Sequence, residues 1–236
     1  MYDQKHHLKE YKIDGWRLDA ADEISTTPND DKRNAYQGNI VKCILDAVRE
    51  ATENNKKKGD KWGILGYVVG EIWDGSDREL RKWYGDKEGE SLYSYFDFPT
   101  YYYWIQAYTE EWNGMKSDNF YNIQYASDML TKIYPEWSHS NCFIGNHDLF
   151  RIGNLIRKRW KVSLKDVNYW NIHYSLQAYQ YMYQGPITVY YGEELGELVE
   201  CYYNTGDCSA YDDCSGRTNI TPLKKLSSFQ KEHLTK

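Results

Sequence analysis

Three acidic residues stand where an apolar segment ends. Asp19 closes Gly15-Trp16-Arg17-Leu18-Asp19, Glu71 follows Val69-Gly70, and Asp148 closes Phe143-Ile144-Gly145-Asn146-His147-Asp148. Two Asp and one Glu at the ends of successive strands are the groups that cleavage of a glycosidic bond requires, since one carboxylate must attack or activate and one carboxyl must protonate the leaving oxygen. The chain also carries 24 Tyr and 9 Trp. Most such rings fill cores, because each buries a large area. Beside carboxylates, however, their flat faces also match the C–H faces of pyranose rings.

The elements that must position these residues follow from periodicity. Tyr11 to Leu18 reads as a strand, and Val41, Ile44, Leu45 and Val48 fall on one helical face that the Asn55 to Gly59 stretch ends. Gly63 to Gly70 is a continuous apolar run, as for a strand buried on both faces. Ser76 or Asp77 caps a short helix closed by Gly85. Tyr93 to Phe98 reads as a strand ended by Pro99. After an aromatic helical region comes a helix with Ile123, Ala126, Leu130 and Ile133 on one face, ended by Pro135. Asn141 to Gly145 is the next strand, Asp166 to Gln184 a long aromatic helix, and Pro186 to Tyr191 a further strand. Five strands alternating with helices predict an α/β fold with parallel pairing. Active-site residues then gather at the strands' C-terminal ends, where Asp19, Glu71 and Asp148 fall.

Composition excludes other classes. A chain of 236 residues, 41% of them hydrophobic, is long enough for one α/β domain, and a net charge of −6 lacks the basic surface that nucleic acid or an anionic membrane demands. Neither partner is expected. No run approaches a membrane span, and the first residues lack the apolar stretch of a signal peptide. Cys43, on a helical apolar face, and Cys142, entering a strand, read as buried thiols. Cys201, Cys208 and Cys214 lack zinc-site spacing, and a local disulfide such as Cys208 with Cys214 fits them better than a metal. The sequon at Asn219 fits an extracytoplasmic protein. His6-His7 and Lys56 to Lys58 read as solvated helix ends. Asp207, Asp212 and Asp213 read as a solvated acidic loop rather than a calcium site.

Gly15-Trp-Arg-Leu-Asp-Ala-Ala21 resembles the strand-four motif of the α-amylase family, glycoside hydrolase family 13. Gly70-Glu-Ile-Trp73 resembles its strand-five motif, Asn146-His-Asp148 its strand-seven motif, and Val189-Tyr-Tyr-Gly192 with Glu194 the segment ending strand eight. The four stand in the family's order, from about Ile13 to Gly196, and Ser227 to Glu232 suits the start of the last barrel helix. The resemblance implies a partial (β/α)8 TIM barrel, strands four to eight with their helices. Residues 1–236 would then be a truncated catalytic domain without the first three βα units or the third-strand motif, and 197–226 an irregular Cys-containing loop within it.

By position, the family's nucleophile falls on Asp19, its general acid/base on Glu71 and its transition-state stabiliser on Asp148. Arg17, two residues before Asp19 on the same strand face, would hold that carboxylate ionised and aimed. Asn146 and His147 would bind sugar hydroxyls and Trp73 would stack on a neighbouring ring. The implied activity is retaining hydrolysis of α-1,4-glucans such as starch or malto-oligosaccharides. The alternatives are an α-glucan transferase, a sucrose- or trehalose-type isomerase, or a catalytically silent, sugar-binding remnant. No cofactor or metal is implied for this chain, although a structural calcium is compatible with a full-length protein, which would be extracellular or secreted.

Overall fold

The computed structural model describes residues 11–25, 27, 40–109, 119–199 and 216–235. They fall into two compact units, Met1–Pro99 with Asp128–Asn141, and Thr100–Ser127 with Cys142–Lys236. His6, His7, Cys201, Cys208, Cys214, Asp207, Asp212 and Asp213 lie outside the described residues, so the expectations placed on them are not addressed.

The first unit is built on a parallel sheet ordered β1 (Gly15–Leu18), β2 (Tyr67–Gly70), β3 (Ser94–Tyr95). Arg17 pairs with Val69, Leu18 with Gly70, and Gly70 with Tyr95. Parallel neighbours need a long connection. Between β1 and β2 it contains α1 (Ala21–Ile24) and α2 (Ile40–Lys57), and between β2 and β3 it contains α3 (Asp77–Trp83). The α2 helix buries Val41, Ile44, Leu45 and Val48 on the expected face. Cys43 is exposed rather than buried, because two residues from Val41 it points away from that stripe. Ser76, not Asp77, caps α3 by accepting from the Glu79 N–H.

All three expected strands of this unit are shorter than their sequence runs, and β1 starts only at Gly15, after Lys12 in the left-handed conformation at φ 50°. Residues 63–66 form a turn instead of extending β2, since Gly63 and Gly66 take φ of +69° and +70°, and the Asp14 carboxylate accepts the Ile64 and Leu65 N–H groups at 2.9 and 3.1 Å. The Tyr93 to Phe98 run gives only the two-residue β3, because Phe98 already begins α4 (Phe98–Thr109) and Pro99 sits in its first turn, where its missing N–H costs nothing. Past β3, Phe96 forms a single parallel bridge to Asn141. Tyr134 caps a π-helical turn, Met129–Ile133, by donating to the Met129 carbonyl. Asn122, Ala126 and Met129 are the buried positions, so of the expected face only Ala126 is buried and Ile123, Leu130 and Ile133 are half-buried. That helix, α5, spans Asn119–Asp128.

In the second unit the expected strands 141–145 and 186–191 reduce to one parallel bridge, Cys142 with Ile187. The Cys142 N–H donates to the Pro186 carbonyl at 2.9 Å, and the Thr188 N–H to the Cys142 carbonyl at 2.8 Å. Cys142 is a buried free thiol, as its apolar neighbours predict. Around this bridge lie α6 (Ile152–Trp160), α7 (Val167–Tyr181, capped by Asp166), a 3-10 turn at Glu193–Leu195 and α8 (Ser228–His233). A capping box between Ser227 and Gln230 starts α8. Rings close the packing: Tyr101 stacks on Phe143 at 5.2 Å and Trp170 on Phe229 at 6.3 Å.

Candidate functional site

Arg17 leaves β1 with its guanidinium between two carboxylates. One nitrogen, Nη2, lies 2.9 Å from Asp19 Oδ1 and 2.8 Å from Glu71 Oε1. The two acids therefore cannot be farther apart, oxygen to oxygen, than these two contacts laid end to end. The parallel register causes this, because Arg17 pairs with Val69 and the chains leave β1 and β2 side by side at Leu18 and Gly70. Beyond the ladder the Glu71 N–H donates to the Leu18 carbonyl at 2.9 Å and the Ala21 N–H to the Glu71 carbonyl at 2.8 Å.

The two acids differ in environment. The Asp19 side chain is 80% exposed and the Glu71 side chain 9%. Glu71 Oε2 accepts from the Ala20 N–H at 3.3 Å, and Ala20 reaches it in the left-handed conformation, φ 43°. For a residue with a Cβ that conformation costs roughly 1–2 kcal/mol. The strain sits beside the exposed carboxylate. Two residues after Glu71, Trp73 is 42% exposed and stacks on Phe98 at 5.3 Å, so one ring face is packed while part of the indole meets solvent. Arg17 is further steadied by the Phe96 ring, 5.6 Å away.

The second group of expected residues lies in the second unit. Asn146 Oδ1 accepts the Asp148 N–H at 2.8 Å, an Asx turn that aims the Asp148 carboxylate. Asp148 Oδ2 is 2.9 Å from His147 Nε2, and Oδ1 is 2.8 Å from Arg217 Nη2. Arg217 also reaches the His147 carbonyl through Nε at 3.3 Å. Arg17, Asp19 and Glu71 are thus brought together in one unit, and Asn146, His147 and Asp148 in the other.

Two residues escaped sequence reading. Arg217 follows a stretch without periodicity and no motif marks it. Arg151 carries no sequence signal either, but it is 1% exposed, donates to the Tyr191 carbonyl at 2.8 Å and lies over the Tyr190 and Tyr191 rings. Among the described residues no three His, Cys, Asp or Glu side chains converge as a metal site, and no helix is long and apolar enough to cross a membrane.

Comparison with known proteins bears on this geometry. A model of the α-amylase catalytic domain matches residues 1–220. A glucan 1,6-alpha-glucosidase of Streptococcus pneumoniae is 25% identical over 197 residues, which is 83% of this chain and 34% of that protein. Among solved structures, a variant of AmyP in complex with maltotriose superposes with a TM-score of 0.79 at 29% identity, covering 99% of this chain and 48% of that one. AmyP in complex with maltose gives 0.77 at 28% identity, over 99% and 47%. An alpha-amylase from Geobacillus thermoleovorans, complexed with acarbose, shares the fold with a TM-score of 0.60 at 16% identity, over 98% and 40%. The chain spans between a third and a half of the length of these relatives.

Proposed function

The chain belongs to the α-amylase family, and from that premise we propose that it carries the catalytic carboxylates of a retaining glycoside hydrolase acting on α-1,4-glucans. Residues 1–236 would form the catalytic domain from barrel strand four onward, with β1, β2 and β3 as strands four to six, the Cys142 and Ile187 bridge as what is left of strands seven and eight, and 197–226 as an irregular loop within it. The observation that carries the reading is the shared Arg17 nitrogen. Retaining enzymes hold their two carboxyl groups about 5–5.5 Å apart, whereas inverting ones leave roughly 6.5–9.5 Å for a water. Two acids gripped by one nitrogen at 2.9 and 2.8 Å suit the narrower gap.

In this mechanism an Asp19 oxygen attacks the anomeric carbon as the glycosidic C–O bond breaks, and Glu71 gives its proton to the leaving oxygen. Water then attacks the same carbon, Glu71 takes back a proton, and Asp19 departs with the α configuration restored. Asp19 suits attack because it is exposed and aimed by Arg17, 2.9 Å away. Glu71 suits proton transfer because it is buried beside it. Asp148 stabilises positive charge on the oxocarbenium-like sugar, Asn146 and His147 bind its hydroxyls, and Trp73 stacks on an adjoining ring. The maltotriose and maltose held by AmyP support a malto-oligosaccharide substrate. A second reading, cleavage of α-1,6 links, is favoured by the likeness to the streptococcal glucan 1,6-alpha-glucosidase.

The test is covalent trapping in the protein that carries this chain. A fluorinated α-glucosyl donor leaves an adduct on Asp19 that peptide mass spectrometry locates, and an adduct on any other residue overturns the assignment. Maltotriose and isomaltotriose offered side by side separate the two linkages.

A further inference from the structure

The proposed chemistry makes no use of a buried acid that touches the segment carrying Asp148. Glu193 is 1% exposed and His173, on α7, is fully buried, with His173 Nε2 3.5 Å from Glu193 Oε2. Neither side chain makes a hydrogen bond among the described residues. Burying a carboxylate in this way is expensive, so its position must be imposed by its surroundings. The backbone imposes it. The Glu193 N–H donates to the Tyr190 carbonyl at 3.0 Å, and its own carbonyl accepts from Gln177 Nε2 at 3.1 Å and from the Gly196 N–H at 3.0 Å. The His233 ring stands edge-on to His173 at 5.2 Å and the Tyr169 ring stacks on it at 6.0 Å, so the imidazole beside Glu193 is confined by aromatic neighbours.

Glu193 Oε1 lies against the backbone of Gly145. A Cβ at that position would stand 2.6 Å from this oxygen, closer than real contacts allow. Gly145 is the residue before Asn146, whose side chain holds the Asp148 N–H at 2.8 Å. A displacement of Gly145 is therefore passed along two residues to the Asp148 carboxylate and its contacts with His147 and Arg217. We propose that Glu193, backed by His173, is a positioning residue for Asp148: its carboxylate fills the space beside Gly145 and so sets where the Asn146–Asp148 turn sits. The catalytic consequence rests on the role assigned to Asp148 above, while the wedge itself does not.

The test is a double-variant cycle on the protein that carries this chain. Gly145→Ala forces the new methyl against Glu193 and shifts the turn. Loss of kcat on the order of 10²-fold is expected, with KM changed far less, as for a misplacement of about 1 Å. Glu193→Asp withdraws the carboxyl by one methylene, so adding it to Gly145→Ala should recover at least part of that loss. A purely structural role would make the two losses multiply. A second readout needs no turnover. The His147 imidazole, 2.9 Å from Asp148, reports the turn through its side-chain 15N shifts in the absence of substrate. Those shifts should move in Gly145→Ala and return in the double variant. Movement and return without any glucan cleavage in the parent protein would sink the hydrolase reading and leave the wedge standing. Unmoved His147 shifts, or multiplying losses, overturn the wedge. Should Gly145→Ala fail to fold, Glu193→Asp alone decides, since it must still move the His147 signals.

Discussion

Arg17 serves two acids with one nitrogen, which makes it more than a counter-ion for Asp19. Lysine keeps the charge, but its ammonium cannot reproduce the planar guanidinium's fixed placement between Asp19 and Glu71. Arg17→Lys should lower kcat/KM about tenfold or more, which is about 1.4 kcal/mol, and steady-state kinetics on maltotriose measure it. Glu71→Gln separates roles more sharply. Slow release of poor leaving groups is expected, with activated aryl glucosides much less affected, because only the former need a proton; equal losses on both would remove Glu71 from the acid role. The three acids were legible in the sequence because each ends an apolar run, and the strand register then explains why Arg17 meets both of its partners. Arg217 and Glu193 were not legible. Their partners, Asp148 and His173, are brought to them by loops and by packing between helices, and no spacing in the chain encodes that approach.

Element existence was easier to read than element length. The α2 stripe, the cap at Ser76, the helix starts at Asp166 and Ser227 and the parallel pairing follow from periodicity and end signals, which are local. Strand length is not local. Asp14 takes the N–H groups that would have prolonged β2, and apolar runs at 141–145 and 186–191 meet in a single bridge instead of a ladder. The turn before β2 has a pH signature. The N–H groups of Leu65 and then Ile64 hold the Asp14 carboxyl below its usual value of 3.8. A carboxyl lowered in the fold stabilises it above that value, and the stabilisation is lost as pH falls through the lowered one. Asp14→Asn should therefore flatten the acid side of the thermal stability profile below about pH 5, and an unchanged profile would show that this turn is not what acid opens. At β2, a Cβ on Gly70 would meet the Tyr95 ring at 2.6 and 2.7 Å, and Tyr95 is fully buried. Gly70→Ala should destabilise by about 1–3 kcal/mol, seen as a lower melting temperature, since the ring has no room to retreat.

At the scale of the molecule, burial of phenols gives a probe of integrity and the sheet gives a probe of completeness. Burial raises Tyr67 and holds Tyr84 and Tyr95 well up in the first unit, and it pushes Tyr108 to about 12 in the second. Groups raised in the fold stabilise it fully below their ordinary value of 10.0 and lose that contribution as pH rises beyond it. Completeness turns on length and edges. The chain covers 34% of the streptococcal relative and 48% of AmyP, and among the described strands β1 stands at one edge of the sheet, beside β2. Trp62 and Leu65, 67% and 71% exposed, lie just ahead of β2. An edge strand and exposed apolar side chains each favour pairing with another chain. Residues 1–236 expressed alone should therefore run as oligomers by light scattering and release no reducing sugar from soluble starch. Their tyrosine absorbance should also titrate early, near pH 10, if the phenols are not properly buried. A monodisperse monomer that cleaves starch and keeps a set of phenols silent until alkaline unfolding would mean that these residues close their own sheet around Arg17, Asp19 and Glu71.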